Sequence, residues 1–198
     1  MIVGVTGLIG SGKSIVADAI REEGAILIDC DRIGREVVEN NPIIRYRLVL
    51  AFGATILTSE DGIDRKELGR LAFSSPEKTT ALNAIVHPAL LAELDSRLKQ
   101  ARKNRQHTVV DAALLIYWNY HKKMDYTVVV AATASNRTRR LLAAGFIVAE
   151  ITQRTKSQLP LSYLKKQADF VILNDGDIVT VRRKAKTLYH QLISGEKG

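Results

Sequence analysis

The chain has 198 residues, 46% hydrophobic and 25% charged, enough apolar material for a sizeable core and too much for a disordered tail. Its 29 Lys and Arg against 21 Asp and Glu leave a net charge of +8, which suits a polyanionic partner or, equally, a solvated basic surface. Cys30 is the only cysteine, which excludes an internal disulfide; no apolar run approaches the roughly 20 residues of a membrane span, and the start lacks the basic region of a secretion signal, so a cytoplasmic protein is expected.

Ile2 to Thr6, I-V-G-V-T, is a short apolar run that predicts a buried strand. It leads into G-L-I-G-S-G-K-S, Gly7 to Ser14, which fits the phosphate-loop pattern G-x-x-x-x-G-K-[ST] in full. Glycines let the backbone curl until successive N–H groups point at one anion. Ile15, Val16, Ala19 and Ile20 share one face of a helix predicted over Ser14 to Glu23 and ended by Gly24. The N-terminus of that helix directs partial positive charge at the same anion. Gly10, Ser11, Gly12, Lys13, Ser14 and Ile15 are therefore expected to bind a nucleoside triphosphate, with Lys13 bridging the terminal phosphates and the Ser14 hydroxyl ligating Mg²⁺.

Ala25 to Asp29 reads as a second buried strand, continuing into Cys30, Asp31 and Arg35. Strand alternation sends the side chains of Asp29 and Asp31 the same way, toward the γ-phosphate. A carboxylate there can accept a proton from an attacking hydroxyl or hold Mg²⁺ directly or through water; it can also merely cap a helix. Arg35, about one helical turn on, can pair with an acceptor's phosphate or with Asp31 itself. From 32 to 105 the chain is mostly helical, with helix periodicity over Ile33 to Val38, Ile43 to Phe52, Arg65 to Phe73 and Thr79 to Arg102, and a turn at Ser59 to Gly62. Thr108 to Asp111, Tyr126 to Ala131 and Phe170 to Leu173 are further Val- and Ile-rich strands. Such alternation predicts a doubly wound α/β fold with a mainly parallel five-stranded sheet. Between the last two strands, 137 to 158 is basic, with Arg137, Arg139, Arg140, Arg154 and Lys156.

The phosphate loop followed by Asp29-Cys30-Asp31-x-x-x-Arg35 resembles the dephospho-coenzyme A kinase family, a P-loop small-molecule kinase family with D-A-D-x-x-x-R at this place. Asp64-Arg65-Lys66-x-Leu68-Gly69, Leu82 to Pro88 (L-N-A-I-V-H-P) and Ala168 to Gly176 (A-D-F-V-I-L-N-D-G) resemble further family segments, in order along nearly the whole chain. The resemblance implies transfer of the ATP γ-phosphoryl group to the ribose 3′-hydroxyl of dephospho-CoA, giving CoA and ADP. It implies a nucleotide-binding core at 1–31 and 106–198, a CoA-binding insert at 32–105 and a lid at about 137–158 with Arg137, Arg140 and Arg154. By matched position Asp31 is the general base, Asn174 and Gly176 lie beside the adenine, and Arg35, Asp64, His87, Leu114 and Leu115 contact the acceptor.

Two segments depart from the family pattern. D-x-P-L-L-x-E becomes Asp111-Ala-Ala113-Leu114-Leu115-Ile-Tyr117, which keeps Asp111 for a role near Mg²⁺ but places Tyr117 where Glu is usual. The lid lacks the Arg-Asp pair of the family pattern: Arg140-Leu141 runs into L-A-A-G, which leaves two alternatives, slower turnover or compensation by Arg137 or Arg139. Packing remains an alternative for Leu114, Leu115 and His87, and is the expectation for Tyr117, Trp118 and Tyr120. Two other functions fit the loop: a different nucleoside or nucleotide kinase, and a non-catalytic nucleotide or nucleic-acid binder. No aromatic–basic interleaving supports nucleic acid, so the expected partners are ATP and dephospho-CoA, with no membrane.

Overall fold

A computed structural model describes residues 1–195. Its backbone divides into two compact units: Met1–Asp29 with the chain from Lys99 onward, and Cys30–Leu98.

The first unit is built on a five-stranded sheet. The strands are β1 (Ile2–Thr6), β2 (Ile26–Asp29), β3 (Thr108–Asp111), β4 (Tyr126–Ala131) and β5 (Phe170–Leu173). They lie in the order β2-β3-β1-β4-β5, all parallel. The chain leaves β1 toward β2 on one side and later reaches β4 on the other, so the order reverses beside β1; open α/β sheets bind ligands at the carboxyl ends of strands at such a point. Helix α1 (Lys13–Glu22) covers one face, and the last helix of the chain, Ile178–Ser194, packs beside it. Val3, Val5, Val109, Val128 and Val130 meet Val16, Ile20, Val181 and Tyr189 in this core. On the other face Leu8, Ile116 and Val129 pack with Leu164. Both faces are covered over β1, β3 and β4, which is why these strands read as unbroken apolar runs. The edge strands β2 and β5 expose Ile26 and Leu173, so the expectation that β2 is buried is corrected: an edge strand has a neighbour on one side only.

The second unit is helical: α2 (Cys30–Asn40), α3 (Pro42–Phe52), α4 (Arg65–Ala72) and most of α5 (Pro76–Lys103). Asn41 caps α3 through the amides of Ile43 and Ile44, with Pro42 fitting the first helical position. Val38, Ile44, Leu48, Ile56, Leu68 and Val86 form the core. Arg97 on α5 holds Glu36 on α2 at 2.8 Å and Glu93 at 2.7 Å. Helix α5 runs 28 residues through Pro88 without a break, longer than the periodicity suggested.

The first unit is completed by α6 (Ala134–Ala143), α7 (Val148–Lys156), α8 (Leu161–Lys166) and α9 (Ile178–Ser194). Strand β2 ends at Asp29 and α2 starts at Cys30, so Asp31 lies in a helical first turn. The expectation that alternation along an extended chain aligns Asp29 with Asp31 is therefore corrected. Gly24 follows α1 at φ 95°, a left-handed position that only glycine takes without strain.

Candidate active site

The loop between β1 and α1 is held in a curl by two left-handed glycines, Gly10 at φ 76° and Gly12 at φ 88°. Gly12 is the N-cap of α1 and offers no side chain to the amides of the first turn. The Ile15 amide turns back to the Gly12 carbonyl at 3.1 Å, while the amides of Lys13 and Ser14 come too early in the helix for an i−4 acceptor and face the same end as the helix dipole. The loop therefore presents donors and partial positive charge without a built-in anion. Gly7 packs flat against β4: a Cβ there would stand 2.4 Å from the Val130 carbonyl oxygen.

Lys13 opens α1, and its Nζ lies 3.0 Å from Oδ1 of Asp111, the last residue of β3. Both side chains are largely buried, which places a fixed cation and a fixed carboxylate at the mouth of the loop. Asp29 ends β2 in register with Asp111, so two strands bring carboxylates to adjacent positions. Thr6 closes the other side, its hydroxyl donating to the Ala113 carbonyl at 3.2 Å.

Three side chains distant in sequence brace the loop. The buried Asn174, just past β5, donates Nδ2–H to the Ser11 carbonyl at 2.8 Å. Arg140 on α6 donates to the Asn174 carbonyl at 2.8 Å and, more weakly, to the carbonyls of Gly10 and Ser11 at 3.4 and 3.5 Å. Gln158, after α7, accepts the Ile9 amide through Oε1 at 2.9 Å. Asp175 ties the same region to α6: it accepts from Asn136 Nδ2 at 2.9 Å and the Thr133 amide at 2.7 Å. Those bonds, Asn136 first, hold its carboxyl below the usual carboxylate range.

The remaining expected residues divide by unit. In the first, Ser14 is exposed at the start of α1, Ile15 packs against the core, and Gly176 is exposed. Leu114 is half-buried. Leu115 is fully buried, and a Cβ on Gly4 would come within 2.5 Å of its Cδ2, so it is core and is withdrawn as a substrate contact. Tyr120 is buried with Lys123 over its ring, as expected, but Tyr117 is exposed rather than packed. Arg140 belongs to the loop's support instead of a mobile cover, because its guanidinium is committed to backbone carbonyls. Asn174, expected at the adenine, likewise directs its amide at the loop. In the second unit, Asp31 and Arg35 are exposed on one face of α2, four residues apart. Asp64 is the N-cap of α4, accepting from the amides of Lys66 and Glu67 at 2.9 and 3.0 Å. His87 is half-buried within α5, where burial lowers its pKa and keeps it neutral near pH 7.

Among the described residues no three His, Cys, Asp or Glu side chains converge as a metal cage. Mg²⁺ takes few protein oxygens and fills its shell with phosphate oxygens and water. Ser14 and Asp111 supply hard oxygen donors beside the loop.

A phosphate loop at the switch point of a five-stranded parallel sheet is common to many nucleotide-dependent enzymes. The family model described as dephospho-CoA kinase matches residues 1–180. The chain belongs to the dephospho-CoA kinase family. The dephospho-CoA kinase of Corynebacterium glutamicum is 36% identical over 194 residues, covering 97% of each chain. That of Chlorobaculum tepidum is 33% identical over 199 residues, covering 98% of this chain and 96% of its own. A solved structure from Thermus thermophilus superposes with TM-score 0.74 at 30% identity, covering 100% of this chain and 98% of that one. The fold alone is shared with the dephospho-CoA kinase of Campylobacter jejuni (TM-score 0.68, 21% identity, 96% of each chain) and with a shikimate kinase of Acinetobacter baumannii (TM-score 0.59, 15% identity, 100% and 95%). Dephospho-CoA kinases phosphorylate dephospho-CoA at the expense of ATP in coenzyme A biosynthesis. Among the described residues no helix is long and apolar enough to cross a membrane.

Proposed function

We propose that this kinase moves the γ-phosphoryl group of ATP to the ribose 3′-hydroxyl of dephospho-CoA, and that Asp31 is the base that takes the hydroxyl proton. The observation that carries the reading is the buried Lys13–Asp111 pair at 3.0 Å, set between an uncapped helix N-terminus and the strand end from which the chain runs on to Asp31. The amides of the loop hold the phosphates, and Lys13 leans on the terminal ones while Asp111 keeps its ammonium in place. Phosphoryl transfer needs little covalent help, so alignment and charge stabilisation account for most of the acceleration. When bound through Ser14 and Asp111, Mg²⁺ supplies further charge neutralisation on the phosphates.

Asp31 orients the acceptor oxygen and accepts its proton as the bond to phosphorus forms. Arg35, four residues on, binds an anionic group of the acceptor. The unit Cys30–Leu98 holds dephospho-CoA, with His87 contacting it as a neutral group and Asp64 fixing the start of α4. The segment from α6 to Gln158 covers the phosphates and excludes water, with Arg154 near Phe146 as part of the cover. The excess of basic residues serves these anionic small molecules rather than nucleic acid. A cytosolic location fits a chain whose one thiol is buried and unbridged.

The deciding assay is release of ADP and CoA by purified protein given ATP, Mg²⁺ and dephospho-CoA, with adenosine and AMP as competing acceptors. Asp31→Asn lowers kcat by about 10²-fold or more while ATP affinity stays within about twofold, the range expected of a general base. Equal loss of both would end the assignment of Asp31.

A further inference from the structure

The amino ends of the strands, opposite the phosphate loop, carry a feature with no part in phosphoryl transfer. The last turn of α5, from Lys99, belongs to the first unit and leads into β3. Its carbonyls are closed by a turn: the Arg105 amide donates to the Arg102 carbonyl at 3.1 Å, and the Gln106 amide to the Ala101 carbonyl at 3.0 Å. Glycine is the usual residue at the left-handed position of such a turn. Here that residue is Arg105, at φ 53°. Among the described residues Asp61 and Asn119 also take a positive φ without being glycine, and short polar side chains of that kind tolerate it through local hydrogen bonds. Arginine has no such relief, so the backbone is strained at the point where it presents a guanidinium.

That residue stands on a cavity. Met1, Ile2, Ala101, Arg102, Arg105 and Gln106 line a space of about 240 Å³ that opens to solvent, several times the roughly 30 Å³ share of one water. Arg102 is fixed across it, donating through one Nη to Asp125 Oδ1 at 3.2 Å and through the other to the Lys123 carbonyl at 2.6 Å, which commits only part of its donor set. Asp125 is taken up by that contact and by the Ile2 amide at 2.6 Å. Lys103, Arg105 and Lys122 are exposed and have no carboxylate partner among the described residues. The cavity therefore sits in uncompensated positive charge. Cations in the last turn offset the helix dipole, which accounts for Arg102 and Lys103. Arg105 lies beyond the helix, where glycine would serve the turn without strain.

We propose that this cavity is a second anion site, which takes the phosphate or pyrophosphate group of a small molecule between Arg102 and Arg105, at the end of the sheet away from the phosphate loop. Planar guanidinium forks match phosphoryl oxygens in geometry as well as charge. The site goes beyond the kinase reading and does not depend on which acceptor is phosphorylated.

The test titrates pyrophosphate into the full chain and follows backbone amide signals by NMR. Those of Ile2, Arg105 and Gln106 report the cavity, and those of Gly10 to Ser14 report the phosphate loop, so the two sites read separately. The cavity signals shift and saturate. Arg105→Gly weakens that response tenfold or more, leaves the loop response and kcat within twofold, and raises the thermal midpoint by about 1–4 °C, because glycine relieves the left-handed position. Arg105→Lys keeps the strain and a cation, and its cavity response weakens less than that of Arg105→Gly. Cavity signals that stay fixed while the loop saturates, or that respond equally in Arg105→Gly, overturn the proposal. Loss of the response together with a lowered midpoint in Arg105→Gly marks a structural role and overturns it as well. Cavity signals that move with phosphatidylglycerol vesicles or an oligonucleotide but not with pyrophosphate assign the face to a macromolecular polyanion, which also ends it.

Discussion

Replacing Gly12 with alanine tests whether the phosphate loop and Asn174 compete for one space. Gly12 sits at φ 88°, where a Cβ adds about 1–2 kcal/mol of backbone strain. That Cβ would stand 2.2 Å from Asn174 Nδ2, so the amide must move. Moving it breaks the 2.8 Å bond to the Ser11 carbonyl inside a site where Asn174 is only 2% exposed. Leaving those groups unsatisfied adds about 1–3 kcal/mol. The single substitution therefore destabilises by about 2–5 kcal/mol, against a total of about 5–15 kcal/mol for a folded domain. Asn174→Ala also loses the bond but opens the space. Urea unfolding of Gly12→Ala, Asn174→Ala and the double variant closes a double-mutant cycle. The double variant falls short of the sum by about 1–3 kcal/mol, because the bond is lost only once and the clash is gone. Additivity within about 0.5 kcal/mol would refute the shared-space reasoning.

Other outcomes follow from the same geometry. Lys13→Met leaves Asp111 buried without its ammonium and costs about 3–5 kcal/mol by thermal or urea unfolding; adding Asp111→Asn recovers part of that stability while ADP release stays abolished. Gln158→Ala removes the acceptor of the Ile9 amide, so hydrogen exchange at Ile9 accelerates and the KM for ATP rises about fivefold or more, the equivalent of one hydrogen bond; unchanged exchange at Ile9 would contradict the brace. Glu22 is held below its ordinary pKa of 4.5 first by its bond to Arg182, and Glu23 first by Lys186 and then His190. A depressed carboxyl stabilises the fold above its unfolded pKa, and that contribution disappears as pH falls through the folded value. The thermal midpoint therefore declines on acidification below about pH 4.5, and Lys186→Met flattens the decline; a midpoint independent of pH between 5 and 3 would count against these pairs.

Local pattern made the strands, α1 and the phosphate loop readable, because each depends on residues adjacent in the chain. The loop's glycines and Lys13 announce themselves through spacing alone. The function of Asn174 was not readable, since its partner is the Ser11 carbonyl, a backbone group that leaves no mark in sequence. Gln158 stood in the sequence only as the end of the basic segment 137–158; its contact with the Ile9 amide depends on how α7 and the following turn pack. Asp31 was found by its neighbours but assigned to an extended segment. Ile33 and Val37, one turn apart on an 11-residue helix, are thin evidence against a strand continued from β2. Helix α5 outran its expected start because Pro76 suits a first helical turn; the expectation already ran through Pro88. Leu115 could not be separated from a ligand contact by hydrophobicity, and only the bare backbone at Gly4 explains why it turns inward.

The bond from Asn174 to Ser11 spans 163 positions of the chain. On the ribosome the loop emerges almost first and its brace almost last, so at about 5–20 residues per second the two are separated by roughly 8–30 s of synthesis. Through that interval the nascent chain carries the ATP signature without the support that shapes it. Competence to hold nucleotide therefore arrives near the end of translation, and a chain truncated before β5 would keep the motif intact and lack the site.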